Sequence, residues 1–211
     1  RAPWFAWVER NVYRTFRYLT IPTPNAIPSY ERLIPREKIR IIPQGFRMDH
    51  LKLCREEPTG IARFAYAGVF YWDIRNPEFL FQYLSQLDIP YEFHLFMRYR
   101  DALVDKMLEE YPNVAEKTVM HFSVPHDELL YHLSNMHFLV NIENVSNTQM
   151  PSKLIDYGIS GRPVFSCRKD NFMPADFSRF LEGDYEGAMK IDVSEYNIAM
   201  LARKFSELAK E

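Results

Sequence analysis

The residues best placed to do chemistry stand together in the run Ser152-Lys153-Leu154-Ile155-Asp156-Tyr157-Gly158, entered from the polar stretch Glu143 to Pro151. The spacing predicts a helix over 152–159, and the first turn of a helix carries backbone N–H groups with no intrahelical partner. Such a terminus, with the amides of Gln149 to Lys153 at its entry, is a natural cradle for a diphosphate. Lys153 adds a full positive charge, and Asp156, one turn further on, can accept hydrogen bonds from a pair of sugar hydroxyls. The residue types by themselves leave a second reading open, with Ser152 an ordinary N-cap, Lys153 a solvated first-turn residue and Asp156 an acid favoured by the helix dipole.

A second candidate loop, Gly68-Val69-Phe70-Tyr71-Trp72-Asp73-Ile74-Arg75-Asn76, has one glycine, three aromatics and an arginine before the next helical pattern. It is not a dinucleotide fingerprint, which needs three spaced glycines, and the whole chain has 7. None of His50, His94, His121, His126, His132 and His137 makes the helical pair with an acid that a zinc protease uses. Cys54 and Cys167 lack metal-site spacing, and Cys167 reads as a buried inert thiol. No metal is expected. Asn144-Val145-Ser146 has the form of a glycosylation sequon, which a cytoplasmic protein would not use.

The elements that must position these residues follow from alternating patterns. Short apolar runs at 61–67, 91–97, 118–122, 137–142 and 163–166 read as strands, and 77–87, 102–111, 127–133 and 152–159 as helices. A mixed tail follows, then a helix from about 195. Strand and helix in alternation imply a parallel sheet with right-handed crossovers, whose ligands bind outside the carboxyl ends of the strands. Upstream, Ile39-Arg40-Ile41-Ile42 reads as a strand ended by Pro43-Gln44-Gly45, and the polar stretch 48–60 as a linker. Residues 4–19 read as an amphipathic helix, with Trp4, Val8, Val12 and Phe16 on one face and Arg10, Arg14 and Arg17 on another. That apolar stripe is expected to pack on a core; a basic, aromatic helix of this kind is also suited to an anionic membrane surface.

Composition bounds the rest. With 211 residues, 47% hydrophobic and 26% charged, the chain is long enough to bury a core, and it holds no apolar stretch of spanning length. A net charge of −2 lacks the basic excess of non-specific nucleic-acid binding. Two cysteines and no signal-peptide pattern fit a reducing cytoplasm. The opening Arg1-Ala2-Pro3-Trp4, without methionine, reads as a cut from something longer.

The run Pro151-Ser152-Lys153-Leu154-Ile155-Asp156-Tyr157-Gly158-Ile159-Ser160-Gly161-Arg162-Pro163-Val164 resembles the carboxyl-terminal nucleotide-sugar site of retaining glycosyltransferases of the B fold, the family-4-like group, which commonly read Pro-x-Lys-Leu-x-Glu-Tyr-x-x-x-Gly-x-Pro-Val. Three further segments agree in order. Ile41-Ile42-Pro43-Gln44-Gly45-Phe46 is similar to the segment before the interdomain linker, Tyr66-Ala67-Gly68 to the first glycine loop, and Phe122-Ser123-Val124-Pro125 to the base-contacting turn. The similarity covers about residues 9 to 166.

The resemblance implies transfer of a sugar from a nucleotide-sugar donor to a glycan or lipid-linked acceptor with retained configuration, usually without a metal. It implies that Gly68, Ser123, Val124, Thr148, Gln149, Met150, Ser152, Lys153 and Asp156 bind the donor, Asp156 through the ribose, and that Arg75 and Lys153 stabilise the leaving diphosphate. There are departures. Thr148 stands where the family's first acid is found, Asp156 is shorter than the usual glutamate, Val69 replaces an arginine, and Arg75 is one position off the expected lysine. Glu143 is a candidate substitute for the missing acid, with a solvated loop charge as the plainer reading.

The expected architecture is therefore α/β: residues 1–47 as the last elements of an acceptor domain, 48–60 as linker, 61–193 as a Rossmann-like donor-binding domain and 194–211 as a carboxyl-terminal helix. Such a chain is mainly the donor-binding part of a transferase, cytoplasmic or peripheral at the cytoplasmic membrane face. It is expected to self-associate through its first helix. A non-catalytic nucleotide-sugar-binding module and an epimerase of the same architecture are the alternatives.

Overall fold

A computed structural model describes residues 3–143 and 152–211, and these divide into two compact units at Asp49/His50 and again near residue 192. The smaller unit contains α1 (Pro3–Thr15), a parallel pair of short strands β1 (Leu19–Ile21) and β2 (Ile39–Ile41), the single turn α2 (Ile27–Tyr30) and, from the other end of the chain, α9 (Ile198–Leu208). Its core is Ile21, Ile34 and Ile39, with Tyr13 and Tyr30 packed against them. The carboxyl-terminal helix, read from sequence as a separate element, belongs to this unit. Gly45 explains part of that: a Cβ there would lie 3.1 Å from the Ile198 backbone, and Phe46 exchanges backbone hydrogen bonds with Tyr196 and Ile198.

Two expectations fail in this unit. The helix ends at Thr15, and Leu19 belongs to β1, because pairing with Ile39–Ile41 overrides the helical period. The apolar stripe does not pack: Trp4 is 66% exposed, and Val8, Val12 and Phe16 are exposed as well. A core of three isoleucines, already met by Tyr13, is too small to cover a face four turns long.

The larger unit is a five-stranded, all-parallel sheet in the order β5-β4-β3-β6-β7, formed by β3 (Ala62–Ala67), β4 (Tyr91–Met97), β5 (Thr118–Phe122), β6 (Phe138–Ile142) and β7 (Val164–Cys167). The crossovers run through α3 (Glu78–Leu84), α4 (Ala102–Glu110) with α5 (Pro112–Ala115), α6 (His126–Ser134) and α7 (Ser152–Ser160), and α8 (Pro174–Leu181) follows β7. The order makes β3 and β6 the pair where winding reverses, the topological switch point at which open sheets of this kind bind ligands.

The central strand shows why. Phe64 and Tyr66 face one side, where Phe64 stacks on Phe93 and Phe138 at centroid distances of 4.9 and 5.0 Å and closes the core with Phe81 and Phe177. Ala65 and Ala67 face the other, and their small side chains admit Leu154 and Tyr157 of α7. Tyr157 Oη accepts from the Ala67 amide at 2.8 Å and donates to the Val140 carbonyl at 3.1 Å, bridging β3 and β6 beyond their last paired residues.

Helix α8, absent from the sequence reading, is signalled by Pro174 at its first turn and by Phe177 and Phe180, both buried. The stretch read as a linker is anchored, not loose. Arg162, in the turn after α7, donates to the carbonyls of Ser134 and Glu56 and pairs with Glu57 at 3.0 Å, and the Cys54 amide donates to Ser134 Oγ.

Candidate nucleotide-binding cleft

A cleft of about 280 Å³ opens at the carboxyl ends of β3, β4 and β5 against the first turns of α7. Of the residues singled out from sequence, Gly68, Ser123, Val124, Ser152, Lys153 and Asp156 line it, together with Phe96, Met97 and Arg98. Thr148, Gln149 and Met150 lie outside the described residues. Gly68 has φ +139°, open to glycine and strained for other residues, and a Cβ there would meet Tyr66 Oη at 3.4 Å. Ser123 has φ +50° and is held by donation from its Oγ to the Arg98 carbonyl at 2.6 Å.

Lys153 is not a solvated first-turn residue. It is largely buried; Nζ donates to the Ile142 carbonyl at 3.2 Å and lies 4.6 Å from the centroid of the Tyr66 ring. Burial, and then the nearby Arg75 guanidinium, push its pKa well below the usual lysine value. No carboxylate hydrogen-bonds to it among the described contacts, and the charges of Cys167 and Glu143 offset its desolvation only in part.

Arg75 lies beside the cleft, its Nη1 3.7 Å from where a Cβ on Gly68 would stand. It is not among the cleft-lining residues: its Nη1 donates to Tyr66 Oη at 3.3 Å and to the Val69 carbonyl at 3.1 Å, and its charge reaches the cleft through its effect on Lys153. Tyr66, passed over in the sequence, therefore links the two cations. Burial pushes its hydroxyl up to about 12, so it stays a neutral donor, to Val69, at 3.1 Å.

Asp156 lines the cleft with its side chain 16% exposed, and its Oδ1 pairs with His126 Nε2 at 2.8 Å. Burial raises its pKa, and His126 works against that rise. His126 is the second residue that sequence reasoning missed; its place at the first position of α6, directly after the Ser123-Val124-Pro125 turn, was the available signal. Glu143 is half-buried and not among the cleft-lining residues: Ser166 Oγ donates to it at 2.7 Å, Arg168 lies 3.7 Å away, and its charge supports that of Lys153. Cys167 is buried, its thiol pushed up to about 12 by burial. Among the described residues no group of three or more His, Cys, Asp and Glu is placed to hold a metal ion, and no helix is long and apolar enough to cross a membrane.

No protein-family model and no curated protein matches the sequence. Solved structures do match. Sucrose-phosphate synthase from Thermosynechococcus elongatus superposes with a TM-score of 0.64 at 14% identity, covering 100% of this chain and 62% of that one. The lipopolysaccharide outer core galactosyltransferase WaaB, in its apo form, gives 0.62 at 13% identity, covering 92% and 62%. Anabaena HepE in complex with UDP and glucose gives 0.65 at 9% identity, covering 100% and 68%. The chain thus has the fold of B-type glycosyltransferases, its larger unit being their Rossmann-like domain, and it spans 62% of the length of the first two.

Proposed function

We propose that this chain is the donor-binding part of a glycosyltransferase that moves a sugar from a nucleoside-diphosphate donor to a glycan or lipid-linked acceptor with retention. The observation that carries the reading is the convergence of Gly68, after β3, with Lys153 and Asp156, both on α7, on one cleft at the switch point of the sheet. Support comes from the fold shared with glycosyltransferases, one of them solved with UDP and glucose.

In this reading the diphosphate lies on Lys153 and the start of α7, whose dipole favours the negative charge. A bound diphosphate raises the basicity of Lys153 towards its ordinary value, because it brings negative charge directly against the ammonium group. Charge developing on the leaving diphosphate is then met by Lys153, by the helix terminus and at longer range by Arg75, a preorganised set that takes the part of a metal. Asp156 receives the ribose hydroxyls. Residues 3–49 belong to the acceptor side. The corresponding setting is the cytoplasm or its membrane face, and the exposed Trp4 and Trp7 on α1 form the surface for self-association.

Calorimetry with UDP, GDP and ADP tests the reading. Binding of at least one is expected, weakened about 10- to 150-fold in Lys153→Ala, as for a lost charge-assisted hydrogen bond. Absence of binding to all three, or unchanged affinity in the variant, refutes it.

A further inference from the structure

Asp156 is not held by the cleft alone. Its Oδ1 is 2.8 Å from His126 Nε2; His126 Nδ1 is 3.9 Å from Asp127 Oδ1; and Asp127 Oδ2 is 3.4 Å from His50 Nε2. Imidazole and carboxylate thus alternate in a row of four that runs from the surface to the cleft wall, the acids becoming more buried inward: Asp127 is 63% exposed and Asp156 16%.

The row has a direct consequence at its inner end. An ionised carboxylate only accepts hydrogen bonds, so His126 must carry its proton on Nε2 when it meets Asp156. Oδ1 is thereby engaged, on a side chain that lines the cleft. Among the described residues, carboxylates face His126 from α7, through Asp156, and from its own helix, through Asp127. Glu128, the next acid on α6, is turned to His132 at 3.6 Å, and His50 meets Asp127 at 3.4 Å.

Resting on the nucleotide-binding reading above, we propose that His126 is the positioning residue of the cleft: it fixes one oxygen of Asp156 and keeps that carboxylate ionised, so that the other oxygen is presented to the ligand's hydroxyls. Direct contact of His126 with the nucleotide is not required. The aspartate at 156 is one methylene shorter than a glutamate, and a partner that pins it in one orientation makes up for the lost reach. The direction in which burial and His126 act on the acidity of Asp156 agrees with this division of labour.

The test is the acid limb of UDP affinity, measured by calorimetry between pH 5 and 8 on the full chain. Comparison of wild type with variants cancels the titration of UDP itself. His126→Ala should move the limb upward by about one pH unit, the scale set by removal of a neighbouring opposite charge. His126→Gln, which still donates a hydrogen bond but carries no charge, should restore the affinity near pH 8 and leave the limb displaced. A 2′,3′-dideoxy analogue of UDP should be insensitive to both substitutions. Carbon-13 NMR titration of the Asp156 carboxyl without nucleotide provides a second readout, expected to move in the same direction. A wild type that binds none of UDP, GDP and ADP overturns the nucleotide reading and this inference with it. A wild type that binds UDP through Lys153, with the limb and the carboxyl titration unmoved in His126→Ala, overturns the inference alone.

Discussion

Replacing Lys153 with methionine should strengthen the fold and weaken the site. In the free protein the ammonium group is largely buried, with one carbonyl and one aromatic face in contact, and with the Arg75 guanidinium acting against its charge more strongly than Cys167 and Glu143 act for it. Methionine has nearly the same length and needs no solvation, so the variant loses the bond to Ile142 and sheds the larger burden of a desolvated charge. The net gain in unfolding free energy at pH 7 is expected at about 0.5 to 2 kcal/mol, the range of a single stabilising change. The pH dependence gives the sign check. A lysine whose folded pKa is depressed binds fewer protons folded than unfolded, so the wild type becomes more stable as pH rises from that depressed value towards the ordinary 10.5. The advantage of Lys153→Met should therefore be largest at neutral pH and shrink by pH 9.5. Urea unfolding of both proteins at the two pH values measures this, and calorimetry with UDP measures the opposite effect on binding, an expected loss of about 1.5 to 3 kcal/mol. A variant less stable than wild type at pH 7, or an advantage unchanged at pH 9.5, would refute the reasoning that desolvation of Lys153 costs the fold stability.

Asp156→Asn keeps the shape and removes the charge; UDP should bind about 1 to 2 kcal/mol more weakly, while an analogue lacking the ribose hydroxyls should bind variant and wild type alike in the same calorimeter. Tyr157→Phe leaves the Ala67 amide and the Val140 carbonyl buried without their shared partner, and should lower the unfolding free energy by about 2 to 3 kcal/mol in urea titration. Gly68→Ala forces a side chain into φ +139° beside Tyr66, and should cost about 1 to 3 kcal/mol of stability and reduce UDP affinity. The 211-residue chain should bind donor yet transfer no sugar in assays with free and lipid-linked acceptors, since orienting an acceptor supplies about 7 to 11 kcal/mol of such a barrier.

The parallel sheet was legible because its strands are short apolar runs closed by polar punctuation, a pattern that survives without tertiary information. Helix α8 was not, because Phe177 and Phe180 give a single turn of period, and β1 was not, because its pairing with β2 depends on a partner 20 residues away. The grouping of Lys153 and Asp156 followed from their place in one helix. The parts of the site that escaped are contacts between elements: His126 meets Asp156 from a different helix, and Arg75 donates to Tyr66, whose ring also meets Lys153. The failed packing of Trp4, Val8, Val12 and Phe16 has a related cause, since periodicity shows that a face is apolar and says nothing about what covers it.

The tyrosine that bridges β3 and β6 gives the sheet an unusual reporter. The Ala67 amide donates to a side chain of α7, so its hydrogen can exchange with solvent when that helix lifts, with the strand ladder still intact. Lys153 and Asp156 ride on the same helix. Slow exchange at Ala67 would thus measure how tightly the ligand-facing wall is shut, and a nucleotide that pins α7 would slow it further while leaving amides deep in the ladder, such as Phe93, at their former rates.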